Sequence, residues 1–318
     1  MLHLSHDPIL IVNNLTKVFT SGFWPLQSVQ KHTIVDRISF SLNSHEILGI
    51  LGPNGAGKTT TIQMLLGALT PTEGSMHYFG MDFAQHRIAI LKKIGYASGY
   101  GTLPARLTVS ENLDIVGRIY GLNSTYRQDQ IEVLLKSFGI WHLRNQRMGS
   151  LSAGQTTRVM LVKAFIADPA IVLLDEPTAS LDPDSAQEVR EFIMAKQKKD
   201  AIAILMTSHN MYEVTELCNR VLVLKNGSII ANNTPTQLAQ LMRNAHIHLM
   251  ITHGMDHACH YLQDAGITHK VQDSTLIIEL DEQKIALLLA DFAERKVIYC
   301  QISIDKPTLE DYFLSIAK

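Results

Sequence analysis

Apolar runs and helical periods alternate along the first ~240 residues, the rhythm of an α/β domain. IVDRISFSL (34–42) alternates polar and apolar positions with period two, and EILGILG (46–52) is an apolar run that ends in glycine. The spacing predicts a helix from Gly57 to about Leu69, closed by Pro71. Further strands are expected at AIVLLD (170–175), AIAILMTS (201–208), RVLVLK (220–225) and GSIIAN (227–232). The last two flank Asn226-Gly227, a dipeptide whose backbone preferences favour a hairpin turn. Residues 100–165 carry mostly helical periodicity and read as a helical insertion. Beyond Arg243 the pattern changes to strand 246–252, helix 255–265, strands 268–272 and 275–280, helix 281–295 and strand 297–304, with a last helix after Pro307. This βαββαβ order suits a small ferredoxin-like sandwich.

Composition narrows the picture. At 318 residues, the chain has room for about two domains. Lys and Arg number 28 against 30 Asp and Glu, a net charge of −2, which argues against a dominantly basic nucleic-acid binder. No apolar run is long and uninterrupted enough to span a bilayer, and MLHLSHDPIL lacks the layout of a signal peptide. Cys218, Cys259 and Cys300 are far apart and odd in number, as expected of reduced thiols in the cytosol.

Two segments carry the chemistry. Residues 52–60, GPNGAGKTT, match G-x-x-x-x-G-K-[ST] between an expected strand and an expected helix. Glycines let the backbone turn its N–H groups toward phosphate oxygens, and the helix N-terminus adds a favourable dipole. Gly52, Asn54, Gly55, Gly57, Lys58, Thr59 and Thr60 are therefore candidate nucleotide contacts, with Lys58 on the β- and γ-phosphates and the Thr59 hydroxyl on Mg²⁺. IVLLDE (171–176) ends a strand in two carboxylates, which places Asp175 to hold Mg²⁺ and Glu176 to polarise an attacking water.

LSAGQ (151–155), placed shortly before those carboxylates, resembles the signature motif of ABC ATPases, and Arg158 stands at the family's usual basic position. ASLD (179–182) looks like the family's D-loop, and His209 in MTSHNMYE looks like its switch histidine. Phe19 in LTKVF occupies the place of the adenine-stacking aromatic. The ending DKPTLEDYFLSIAK resembles that of the daunorubicin-resistance-type ABC exporter ATPases.

This resemblance implies a P-loop ABC ATPase core over 8–243, with a helical subdomain at about 100–165, and an α+β accessory domain over 244–318. It implies that ATP is bound between two such domains, most simply a homodimer. Ser152, Gly154 and Gln155 of one chain would then meet the nucleotide of the other, and Asp182 would link the two sites. His209 would sense the γ-phosphate. It further implies a separate membrane permease docking around residues 85–120, a place on the cytoplasmic face of the inner membrane, and no nucleic-acid partner. A ribosome- or DNA-associated ATPase and a poorly hydrolysing ATP-gated switch are the alternatives.

One position departs from the family pattern. In IGYASGYGTLPARLTVSENL, Gly99 stands where a glutamine is usual, with Ser98 and Tyr100 beside it. Either water or Ser98 substitutes, or coupling to the partner is altered, and reduced but real ATPase activity is expected. Phe23 and Trp24, within the unusual segment 21–33, read as part of a surface loop that packs on its own domain. In the histidine-rich tail, which includes His246, His248 and His269, the spacing of His253, His257 and His260 suits one side of a helix, read as a solvated face in preference to a zinc site.

Overall fold

The computed structural model describes residues 8–21, 30–242 and 244–317, and Phe23 and Trp24 lie outside them. It divides into two compact units at Thr234/Pro235. At the centre of the first is a sheet in which strands β3 (Ile47–Leu51), β6 (Ile94–Ser98), β7 (Ile171–Asp175), β8 (Ala203–Thr207), β9 (Arg220–Lys225) and β10 (Ser228–Asn233) run in the order β10-β9-β3-β8-β7-β6. Every pairing is parallel except β10 with β9. Strands β3, β7 and β8 are buried at every position, which is why they read as continuous apolar runs without alternation. The β9–β10 turn is made by Asn226 and Gly227, both at positive φ (51° and 79°), as the dipeptide predicts.

A second, antiparallel sheet was not evident from the hydrophobic pattern. It orders β2 (Gln30–Asn43), β1 (Pro8–Ser21), β4 (Glu73–Tyr78) and β5 (Met81–Asp82) as β2-β1-β4-β5. Register shifts between Val12, Leu15, Lys17 and Val18 interrupt the β1–β2 ladder, and Asn14 sits at φ 47°. These irregularities break the alternation on which a sequence reading depends. Leu10, Val12, Leu15, Val35, Ile38 and Leu42 from this sheet share one core with Leu48, Ile50, Leu173 and Leu205 of the central sheet.

Arg220 and Glu46 tie the sheets together. Arg220 donates through Nε and Nη2 to the Glu46 carboxylate at 2.7 and 3.1 Å, and through Nη2 to Ser41 O at 2.7 Å. The same carboxylate accepts from Asn43 N at 2.8 Å.

The helices begin where capping chemistry allows. Helix α1 (Lys58–Leu65) opens at Gly57, and α2 (Phe83–Leu91) opens at Asp82. Capping boxes start α3 (Val109–Ile119) at Thr108/Glu111 and α5 (Ala153–Phe165) at Ser152/Gln155. Between them, α4 (Ser124–Ser137) is fastened to α3 by buried Arg127, which donates to Asp114 and to Leu122 O. These helices make up the expected helical insertion. Asp182 caps α6 (Pro183–Asp200), whose first residue is proline, and Asn210 caps α7 (Met211–Leu217).

The second unit opens with α8 (Pro235–Gln240) and then follows β11 (Asn244–His253), α9 (Met255–Asp264), β12 (His269–Gln272), β13 (Thr275–Asp281), α10 (Ile285–Glu294), β14 (Ile298–Asp305) and α11 (Leu309–Ala317). Its antiparallel sheet has the order β12-β13-β11-β14, the ferredoxin-like arrangement. It has its own core, including Ile247, Leu249, Leu262, Ile278 and Phe292. His253 ends β11 instead of lying on α9, because Gly254, at φ 86°, turns the chain between them. His257 and His260 are exposed on α9.

The buried Glu46 carboxylate makes the intersheet tie costly to break from one side. Arg220→Met should destabilise the chain by about 3 kcal/mol, read as a lower urea midpoint at unchanged slope.

Candidate functional site

The candidate residues gather at the C-terminal ends of the parallel strands because the ladder is in register there. Ser98 of β6 pairs with Asp175 of β7, Asp175 pairs with Thr207 of β8, and Thr207 pairs with Ile50 of β3. Each strand therefore hands its following loop to the same edge, the usual place for ligands in such sheets.

From β3 the chain enters the glycine-rich loop. Gly57 stands at φ 104°, and a Cβ there would come within 2.7 Å of Ile34 O, so conformation and space both require glycine. The Thr61 hydroxyl donates to Gly57 O at 2.9 Å and holds the first turn of α1. Lys58 is buried and donates through Nζ to Gly52 O at 2.6 Å and to Pro53 O at 3.2 Å. Burial lowers the pKa of this ammonium, while the carboxylates of Glu176 and Asp175 oppose the shift. The Thr59 side chain is exposed at the mouth of the loop.

Across the strand ends, the Thr207 hydroxyl donates to Asp175 Oδ1 at 2.6 Å. Glu176 N donates to both the O and the Oγ1 of Thr207 at 3.1 Å. Glu176 has left-handed backbone at φ 53°, a strained conformation for a residue with a side chain. Its carboxylate is gripped at both oxygens: His209 Nε2 lies 2.6 Å from Oε1, and the Tyr100 hydroxyl donates to Oε2 at 3.1 Å. Behind His209, fully buried Glu213 accepts from Thr178 at 3.0 Å and from Ser208, fixing the two loops to each other. Burial pushes the Glu213 carboxyl pKa up. Tyr100, Glu176, Ala179, Leu181, His209 and Asn210 border an open cavity of about 440 Å³.

The other sequence candidates are held by contacts of their own. Ser152 caps α5, accepting from Gln155 N at 3.2 Å while Gln155 Oε1 accepts from Ser152 N at 3.0 Å, and Ser152 is exposed. Gly154 packs beside Leu181. Asp182 accepts from Ser185 N and Oγ at 2.9 and 2.7 Å, bonds that hold its carboxyl below the usual range. Arg158 donates to Ser185 at 2.6 Å and pairs with Glu188 at 2.8 Å, joining α5 to α6. Phe19, on β1, is 42% exposed, with Lys17 Nζ 5.2 Å above its ring. Sequence reasoning missed two residues, Thr207 and Tyr100. Thr207 carried a weak signal, as a polar residue ending a buried strand next to His209. Tyr100 carried only its place beside the departure at Gly99.

The structure accounts for that departure sterically. Gly99 N donates to Asp175 O at 2.9 Å, which draws this backbone against the next residue, and a Cβ on Gly99 would lie 2.3 Å from Glu176 O. No side chain fits here without displacing the backbone that bears Glu176. Ser98 is engaged locally, its hydroxyl accepting from Tyr100 N at 3.3 Å. Gly99→Ala should therefore lower stability by about 1–3 kcal/mol in thermal or urea unfolding, despite the partial exposure of the site.

Comparison with known proteins agrees with this arrangement. The ABC transporter family pattern matches residues 35–179. The chain is 40% identical over 194 residues to the ABC transporter ATP-binding protein NatA of Bacillus subtilis, covering 61% of this chain and 78% of the relative. It is 35% identical over 234 residues to the lipopolysaccharide export system ATP-binding protein LptB of Haemophilus influenzae, covering 72% and 92%. A solved ATP-binding subunit of an ABC transporter superposes with a TM-score of 0.64 at 25% identity, covering 73% of this chain and 92% of that one. The chain belongs to the ABC transporter ATP-binding proteins, the subunits that bind and hydrolyse ATP to drive transport through a membrane partner.

Proposed function

We propose that this chain powers export, and that hydrolysis is centred on Glu176. The observation that carries this reading is the placement of the Glu176 carboxylate at the common edge of β3, β7 and β8, between His209 and the electrostatic neighbourhood of Lys58. In this reading Gly52, Asn54, Gly55, Gly57 and Thr60 line the phosphate site, and Lys58 turns from its loop carbonyls to the β- and γ-phosphates. Glu176 takes a proton from the attacking water. His209 bonds the γ-phosphate and holds the carboxylate in place. Phe19 offers its exposed ring to adenine.

A magnesium ion fits the donors present. Such a hard cation prefers oxygen and keeps part of its water shell, and Thr59 and Asp175 supply a hydroxyl and a carboxylate. Among the described residues no three His, Cys, Asp or Glu side chains converge as a metal cage, so phosphate oxygens and water would complete the shell. When bound, Mg²⁺ offsets triphosphate charge and polarises the γ-phosphate.

Several features support a head-to-tail homodimer with two ATP molecules between its copies. Ser152 and the start of α5 are exposed, leaving a helix N-terminus and its orphan donors available to a second chain's γ-phosphate. Gln155 keeps that terminus formed, and Asp182 anchors the segment between the two sites. For the permease, residues 85–120 expose Ile88 on α2 and, one turn apart on α3, Ile115 and Ile119 (77, 45 and 75%), apolar side chains suited to a docking helix. The relative named for lipopolysaccharide export supports the direction of transport. Among the described residues no helix is long and apolar enough to cross a membrane. In this reading the chain docks on its permease at the cytoplasmic face of the inner membrane. The sequence boundary at 243/244 moves to the division between the compact units, so residues 8–234 would form the ATPase domain and 235–318 an accessory domain used in dimer contact or regulation.

Glu176→Gln tests the assignment. ATP turnover should fall by about 100-fold or more while ATP binding persists, and ATP should shift the protein from monomer to dimer on size exclusion. Normal hydrolysis by this variant would show that another group activates the water.

A further inference from the structure

The turn 98–101 meets the catalytic edge at a place the family resemblance does not explain. Gly99 brings its own backbone against Glu176 O and leaves no room for a side chain. The turn is held firmly: Gly99 N donates to Asp175 O at 2.9 Å, Gly101 N to Ser98 O at 3.0 Å and Tyr100 N to Ser98 Oγ at 3.3 Å. The reach toward the reaction centre therefore passes to the next residue. The Tyr100 ring projects into solvent, 73% exposed, yet its hydroxyl returns to Glu176 Oε2 at 3.1 Å.

Burial does not explain this contact, since an exposed tyrosine gains little from packing. Nor is it duplicated, because His209 occupies the other carboxylate oxygen, Oε1, at 2.6 Å. The two donors approach from different loops, one after β6 and one after β8, and together they fix both oxygens of one carboxylate. A carboxylate so held has lost its rotational freedom before the water arrives.

We propose that Tyr100 is a positioning residue for ATP hydrolysis, its hydroxyl orienting Glu176 through Oε2 in place of the side chain that Gly99 lacks. The proposal rests on Glu176 being the base. The neighbouring carboxylate raises the Tyr100 pKa, which keeps the phenol protonated and therefore a donor. The turn bearing Tyr100 immediately precedes the helical insertion, so a displacement there would reach the reaction through the orientation of the base, without a metal contact.

The test compares Tyr100→Phe and Tyr100→Ala in the full chain with MgATP as substrate. Both should lower kcat about tenfold, the size of one lost charge-assisted hydrogen bond, at unchanged KM for ATP and unchanged melting temperature. Equal losses would assign the effect to the hydroxyl. A Phe variant at the wild-type rate, with or without loss in Ala, would overturn the proposal, as would a loss confined to KM. A faster Phe variant would overturn it too and make the contact a brake. If Glu176→Gln is inactive while Tyr100→Phe is normal, only the tie fails; if Glu176→Gln is fully active, the assignment of the base fails.

Discussion

The register of the parallel ladder is the constraint on which the site depends. Ser98, Asp175, Thr207 and Ile50 lie in line across β6, β7, β8 and β3, so four loops of different sequence emerge at one edge. A slip of one residue in any strand would turn its last side chain to the opposite face. The Thr207–Asp175 hydrogen bond shows how tightly the ends are locked, since it joins the final residues of adjacent strands. Burial of β3, β7 and β8 on both faces makes that register costly to change.

On this rigid edge the polar groups form a graded set. Lys58 and Asp175 are buried and anchored to backbone or hydroxyl partners, whereas Glu176 and His209 lie nearer solvent and hold each other. Such grading would suit the proposed nucleotide site, whose phosphate-binding parts must stay fixed while nucleotide enters and leaves. Helix α5 and Asp182 are stabilised separately, through their own caps and the Arg158–Ser185–Asp182 chain. In the proposed ATP-bridged dimer, that separation would leave a ready-formed second surface, which closure would not need to assemble.

Much of this was legible in the residues. The glycine-rich loop, the paired carboxylates and His209 each stand at the end of an apolar run, and such runs identify buried strands reliably. The βαββαβ order of the tail was equally readable, because β11 and β13 alternate buried and more exposed positions and α9 and α10 carry apolar stripes. The antiparallel sheet was not: bulges in β1 disturb the period, and its pairing joins segments distant in the chain. The histidine spacing in the tail looked helical across residues 253–260, yet Gly254 ends the strand that holds His253.

The sequence alone determined which chemistry is present, because the phosphate loop needs particular residue types in unbroken order. It also marked Gly99 as unusual without supplying a reason. Only the tertiary structure decided that position, through the approach of Gly99 to the Glu176 carbonyl from an adjacent strand. The same packing gave Tyr100 its partner across 76 residues of chain. Local motifs are written in consecutive residues, but steric exclusion between strands depends on a register that no single strand contains.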